Sequence, residues 1–218
     1  ILKVLEAKGL KAEMAAGLSL GEYGALAAAG VMELPDLFRI IRMRGIYMQE
    51  AYPEGGAMAA ILGLDGDTVA KICGQTAKET GKVVSVANYN CPGQIVISGS
   101  IEGINKACEL MKAAGAKRAL PLKVGGAFHS PMMNPAKVEL EAAITATEIH
   151  APKCPVYQTV DALPHTDPEE IKKNLVAQLT ASVRWTQTVK NMVADGATDF
   201  TECGPGAVLP VSYTHLRA

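Results

Sequence analysis

A chain of 218 residues, 49% of them apolar and with a net charge of −1, can bury a sizeable core and carries no electrostatic footprint for nucleic acid. Its apolar stretches are broken by Gly, Pro or charge well short of the roughly 20 residues a membrane helix needs, so no membrane partner is expected. Five cysteines, Cys73, Cys91, Cys108, Cys154 and Cys203, are odd in number and form no CxxC pair, which argues against a disulfide frame or a zinc site and for a reducing cytoplasm.

The chain opens without Met, on the apolar side of a short helix through Ile1, Val4 and Leu5, and so reads as lacking its true N-terminus. After Gly9, a strand over Lys11–Ala16 runs into Gly17-Leu18-Ser19-Leu20-Gly21 and then an Ala-rich helix to Gly30. A second helix follows Leu34-Pro35-Asp36 and is broken after about Ala51 by Pro53, Gly55 and Gly56, a subdomain boundary. The next stretch reads strand (58–62), helix (67–80), strand (83–88), strand (94–98), helix (102–114), strand (118–123), the βαββαβ order of a ferredoxin-like unit. Beyond Gly125-Gly126 the chain returns to helices, with strands at 155–160 and 198–202 and helices near 168–180 and 183–195, an α/β alternation. The expected organisation is an α/β core over 1–55 and 124–210, with residues 56–123 inserted.

A serine between two glycines at a strand-to-helix turn is the nucleophile-elbow arrangement. Tight backbone geometry is expected to leave no room for side chains at Gly17 and Gly21 and to push Ser19 into the open, with the Leu20 N–H at the helix start facing a developing oxyanion. The plain alternative is a glycine-rich turn with an incidental serine. In the helix Leu37–Ala51, the positions Leu37, Ile40, Ile41, Met48 and Ala51 form the core-facing stripe, and Arg44 sits in its middle, whereas Arg39 and Arg42 lie well away. A buried guanidinium needs an anion, best a carboxylate gripped bidentately. An internal Asp or Glu, or escape of the side chain to water, answers that need as well as a ligand does. Of the four histidines, His150, His165 and His215 read as surface, whereas His129 precedes Ser130-Pro131, a helix-start signature. It is placed either as a base for Ser19 or as a core or capping histidine. No acid declares itself as a third member, so a dyad suffices.

Together, Gly17-Leu18-Ser19-Leu20-Gly21-Glu22-Tyr23, Arg44-Gly45 with Met48-Gln49-Glu50-Ala51, Asn88-Tyr89-Asn90-Cys91-Pro92-Gly93-Gln94, Phe128-His129-Ser130 and Gly204-Pro205-Gly206 resemble the malonyl-CoA:acyl-carrier-protein transacylase family, from Ile1 to about Leu209. The resemblance implies an α/β-hydrolase-like acyltransferase core with the ferredoxin-like insertion. It implies Ser19 as nucleophile toward the malonyl thioester, His129 as general base and then acid, and Arg44 as the grip on the malonyl carboxylate. Gln178 matches the residue whose main-chain carbonyl orients the histidine, and Phe128 resembles malonyl-selective rather than methylmalonyl-selective relatives. Acyl carrier protein and malonyl-CoA are the implied partners. No metal or cofactor is implied, since CoA enters and leaves with the substrate.

Three departures stand out. Leu18 replaces the His that most relatives carry before the nucleophile, and the Gly-Gln-Gly loop that supplies the family's second oxyanion donor is absent. Residues 211–218 resemble adapter read-through rather than native sequence. A serine esterase shares the elbow, but Arg44 suits an apolar acyl chain poorly. An incomplete scaffold that only binds carrier protein predicts no acyl-serine at all. Lys112, Lys117 and Arg118 either meet the acidic face of a carrier protein or are ordinary solvated charges.

Overall fold

The computed structural model describes residues 1–53, 55–204, 206 and 209; the expected non-native tail and His215 lie outside them. In chain order the elements are α1 (Leu2–Ala7), β1 (Ala15–Ala16), α2 (Leu20–Ala28), α3 (Leu34–Glu50), β2 (Ala57–Leu62), α4 (Gly66–Thr80), β3 (Val84–Cys91), β4 (Gln94–Gly99), α5 (Ile101–Ala113) and β5 (Arg118–Pro121). A 3-10 turn at Pro131–Met133 leads into α6 (Asn134–Thr145), followed by β6 (Val156–Tyr157), β7 (Pro164–His165), α7 (Pro168–Gln178) and α8 (Trp185–Ala194).

Strands β2 to β5 form one antiparallel sheet in the order β3-β4-β2-β5, which with α4 and α5 is the ferredoxin-like arrangement. Caps fix its helices: the Asp65 side chain accepts from Thr68 N–H, Ser100 accepts from Gly103 N–H, and Gly81 ends α4 in the left-handed conformation. One face of the sheet presents Ala59, Ile61, Val84, Val86, Ile95 and Ile97 to Val69, Cys73, Ile104, Ala107 and Met111 of the two helices. The opposite face, with Met58, Ala87 and Val96, packs on Phe128 and so forms a wall above the cleft described below.

In the core, β1 pairs parallel with β6, which pairs antiparallel with β7. Around them α2, α3, α6 and α7 bury Tyr23, Leu26, Leu37, Ile40, Leu140, Ile144, Ile171 and Leu175. Two expected strands are shorter than the sequence suggests. Of Lys11–Ala16 only Ala15–Ala16 pairs, because Lys11, Ala12 and Glu13 are exposed and no described strand runs beside them. Of 155–160 only Val156–Tyr157 pairs. The expected strand at 198–202 is not assigned as a strand, and Phe200 there packs on the cluster of Val183, Trp185 and Val189. No helix among the described residues is long and apolar enough to cross a membrane.

Residues 182–186, between α7 and α8, tie the sheet to the core. Ser182 Oγ donates to Val86 O (2.6 Å), Val183 N–H to Ala87 O (2.7 Å) and Tyr89 N–H to Val183 O (2.9 Å), while Arg184 N–H donates to Thr159 O on the core side (2.9 Å). His165 is not the surface residue its sequence context suggests. Its ring is largely covered, with Nε2 2.9 Å from Asp161 Oδ2 and Nδ1 3.3 Å from Glu170 Oε2.

Ile97 is fully buried on the helix-facing side of the sheet, whereas Leu120 is 44% exposed. Ile97→Ala is expected to cost about 3 kcal/mol in urea unfolding and Leu120→Ala less than about 0.5 kcal/mol.

Candidate active site

Strand β1 delivers the chain into a turn whose backbone folds back on itself. A Cβ on Gly17 would stand 2.1 Å from the Gly21 carbonyl carbon, so only glycine fits there. Gly21 does not share this constraint, contrary to what the motif suggests: a Cβ there meets nothing within 4 Å, and of the two glycines only Gly17 carries the steric demand. The crossing holds Ser19 at φ 52°, ψ −101°, a conformation a serine adopts only when its surroundings impose it. The Leu18 side chain turns away from the cleft and packs with Val183, Trp185 and Val189. Leu20 is the first residue of α2, and its N–H donates no hydrogen bond to any described residue, as is usual for the first N–H groups of a helix.

His129 also has positive φ (55°). Its backbone is pinned by Ser130, whose Oγ donates to Ala127 O (2.6 Å) and accepts from Met132 N–H (3.3 Å). The imidazole spans two contacts: Nε2 lies 2.7 Å from Ser19 Oγ and Nδ1 lies 3.0 Å from the Gln178 main-chain carbonyl. Since a carbonyl only accepts, Nδ1 carries the proton, and Nε2 is free to accept the Ser19 hydroxyl proton. No carboxylate touches the ring among the described residues. Burial pulls its pKa from 6.5 down to about 4, with the nearby Arg44 charge adding to the effect.

Arg44 comes from the buried stripe of α3 and is only 6% exposed. Neither structural alternative describes it, since it forms no salt bridge among the described residues and its side chain lines the cleft instead of extending to the outer surface. Its Nη2 donates to Ser19 Oγ (2.9 Å) and to Gln178 Oε1 (3.3 Å), the guanidinium lies 5.6 Å from the centre of the Tyr23 ring, and Nε is buried with no hydrogen-bond partner. Desolvation lowers its pKa, but a guanidinium starts high enough to stay charged.

These groups converge on a cleft of about 340 Å³ lined by Ser19, Arg44, Gly45, Met48, Gln49, Met58, Asn88, Phe128 and His129. A larger depression on α4, lined by Ala70, Lys71, Gly74, Gln75, Lys78 and Glu79, includes none of these groups. Two polar residues at the site escape a reading by periodicity. Asn88 is carried to the cleft by the irregularity of β3 after Val86, its signal in the sequence being its place at the head of the Asn88–Gln94 motif. Glu22, fully buried one helical turn after Ser19, accepts from Gln158 Nε2 (3.1 Å), Thr159 N–H (3.0 Å) and Thr159 Oγ (2.9 Å), and burial raises its pKa. Lys112, Lys117 and Arg118 are exposed at the end of α5 and the start of β5.

A serine hydroxyl 2.7 Å from a buried imidazole on a strand-to-helix elbow, roofed by a ferredoxin-like sheet, is the arrangement found in an acyl-transferring enzyme class. Residues 1–214 match the acyl transferase domain family, and the chain belongs to it. It is 44% identical over 210 residues to the malonyl CoA-acyl carrier protein transacylase of Bacillus subtilis, an alignment that takes in 96% of this chain. Its backbone is similar to that of an acyl carrier protein S-malonyltransferase from Vibrio cholerae, with a TM-score of 0.95, 42% identity and coverage of 99% of this chain and 70% of the other. The same TM-score, 0.95, relates it at 41% identity to a malonyl-transacylase solved in complex with its type II PKS acyl-carrier protein, again over 99% of this chain and 70% of that one. The chain spans about two thirds of the length of the curated relatives it matches, 66% of the Bacillus protein.

Gly17→Ala is expected to cost about 2 kcal/mol and to abolish labelling of Ser19 by a fluorophosphonate, whereas Gly21→Ala shifts stability by less than about 1 kcal/mol, as thermal melts and probe labelling will read out. Because the folded pKa of His129 is depressed, the unfolded chain binds the extra proton first. The cost is absent above pH 6.5, grows as pH falls, and is complete, on the order of 3 kcal/mol, below about pH 4. The probe-labelling rate should accordingly stay flat from pH 8 to about 6 and fall only toward pH 4; a half-maximum near 6.5 contradicts the burial argument.

Proposed function

We propose that this chain catalyses transfer of a malonyl group from malonyl-CoA to the phosphopantetheine thiol of acyl carrier protein, by a ping-pong route through a malonyl-serine, supplying fatty-acid synthesis in the cytoplasm. The observation that carries the reading is the Arg44 guanidinium, buried without a salt bridge among the described residues and 2.9 Å from the Ser19 hydroxyl oxygen. An acyl group bonded to Ser19 and ending in a carboxylate supplies the missing anion at that spot; an acetyl group does not. The relatives' names and the carrier-protein complex of one of them agree with this substrate pair.

In the first half-reaction the Ser19 hydroxyl gives its proton to His129 Nε2 as Oγ bonds to the thioester carbon. The Leu20 N–H stabilises the tetrahedral oxyanion, the C–S bond then breaks, and the CoA sulfur leaves with the proton from Nε2. The second half-reaction runs in reverse, with the pantetheine thiol giving its proton to Nε2, its sulfur attacking the acyl-serine, and Oγ taking the proton back. The Gln178 carbonyl keeps the Nδ1–H tautomer in place throughout. Phe128, packed between the core and the sheet, narrows the cleft where a methyl branch at the malonyl α-carbon has to fit. Neither metal nor cofactor takes part, because CoA is substrate and product. On this reading residues 1–55 and 124–210 supply the acyltransferase core and 56–123 the roof.

The test is intact mass after brief exposure to malonyl-CoA or acetyl-CoA, with peptide mapping. A malonyl increment on Ser19 is expected, weak with acetyl-CoA and absent in Ser19→Ala, and Arg44→Leu should lose roughly ten- to a hundredfold of the malonyl preference. Rapid loss of the adduct to water without an acceptor thiol indicates an esterase instead, and no adduct at all indicates a chain that only binds.

A further inference from the structure

Gln178 enters the reaction above only through its main-chain carbonyl, yet its side chain is almost completely buried and points into the same site. Its amide is read from both ends. Oε1 accepts from Arg44 Nη2 (3.3 Å), while Nε2 donates to the main-chain carbonyl of Ser19 (3.3 Å) and lies beside the buried Glu22 carboxyl. A cation on one side and two acceptors on the other leave a single satisfactory orientation of the amide. Glu22 is itself anchored by Gln158 and Thr159, so the amide stands on a fixed base.

Arg44 needs such a holder. Among the described residues its Nε has no hydrogen-bond partner, the Tyr23 hydroxyl and the Glu22 carboxyl act on the guanidinium electrostatically, and its other close hydrogen bond is to Ser19 Oγ, which becomes an ester oxygen once acylated. An ester oxygen accepts hydrogen bonds weakly, so in the acyl-enzyme the Gln178 amide is the main polar group left to fix the plane of the guanidinium. We propose that the Gln178 side-chain amide is a specificity-positioning group that holds Arg44 in register with the carboxylate of the acyl-serine while tying that register to the Ser19 backbone. Gln178 thereby sets which acyl group is accepted through its side chain and supports proton transfer through its backbone, two roles that substitution can separate because every residue keeps the carbonyl. This inference rests on the transacylase reading for its substrate.

The experiment compares wild type with Gln178→Met, which keeps length and removes both hydrogen bonds, and Gln178→Glu, which places an internal carboxylate on the guanidinium. The ratio of malonyl to acetyl loading of Ser19 is measured with thermal melts alongside. Gln178→Met should lower that ratio about tenfold, mainly through KM for malonyl-CoA, as expected for a lost hydrogen bond to a charged group. Gln178→Glu should lower it further, since Arg44 is then satisfied internally. A ratio within twofold of wild type in either folded variant overturns the proposal. Side-chain nitrogen NMR of Arg44 gives a readout that needs no turnover. Separate Nη signals in wild type that merge in Gln178→Met support the clamp, and unchanged signals overturn it. Should wild type load malonyl no better than acetyl, the transacylase reading fails, and the NMR result alone decides the clamp.

Discussion

Burying a guanidinium removes it from water at a cost of several kcal/mol, which a carboxylate partner usually offsets. At Arg44 the offset is assembled from weaker pieces: the face of Tyr23, the Ser19 hydroxyl and the Gln178 amide. None of these is a salt bridge, and the Glu22 carboxyl acts on the guanidinium only through space, so Arg44 keeps no direct anionic partner among the described residues beside Ser19. The Arg44 charge also helps hold His129 neutral, so that its Nε2 lone pair stays available to the serine hydroxyl. Burial remains the larger cause of that neutrality, and the Arg44 charge adds to it.

The backbone pays for this arrangement in conformation. Ser19 and His129 are two of three non-glycine residues with positive φ among those described, and they face each other across 2.7 Å. Each is over-determined by its neighbours, Ser19 by the Gly17 crossing and His129 by the Ser130 hydroxyl. A carbonyl is a sufficient partner for Nδ1 here. It fixes the tautomer without adding a negative charge that would compete with the substrate for Arg44.

Much of this was legible in the sequence because it is local. The elbow occupies five consecutive residues, Arg44 betrays itself by breaking a 3.6-residue stripe, and the βαββαβ unit alternates cleanly enough to set its own order. What was not legible depends on partners distant in the chain. The lengths of β1 and β6 are set by where another backbone runs alongside, not by the propensity of 11–16 or 155–160. Gly21 looks equivalent to Gly17 in the motif, but only a fold-back in three dimensions distinguishes them. Glu22 sits in plain view beside the motif, yet its role depends on Gln158 and Thr159, well over a hundred positions away. His165 reads as surface from its polar neighbours, although Asp161 and Glu170 enclose it.

The segment from Gln178 to Thr186 ends at the histidine's carbonyl on one side and reaches the edge of the sheet on the other, where Thr186 Oγ donates to Tyr89 O (3.1 Å). It works as a gauge block, since its length in residues sets the spacing between the proton-transfer pair and the wall above it. Side chains along it are free to drift over evolutionary time, while an added or deleted residue throws both ends out of step at once. Insertions in such a scaffold belong in the exposed outer turns, and a designer seeking a roomier cleft would do better to trim the wall at Met58 or Phe128 than to lengthen this connection.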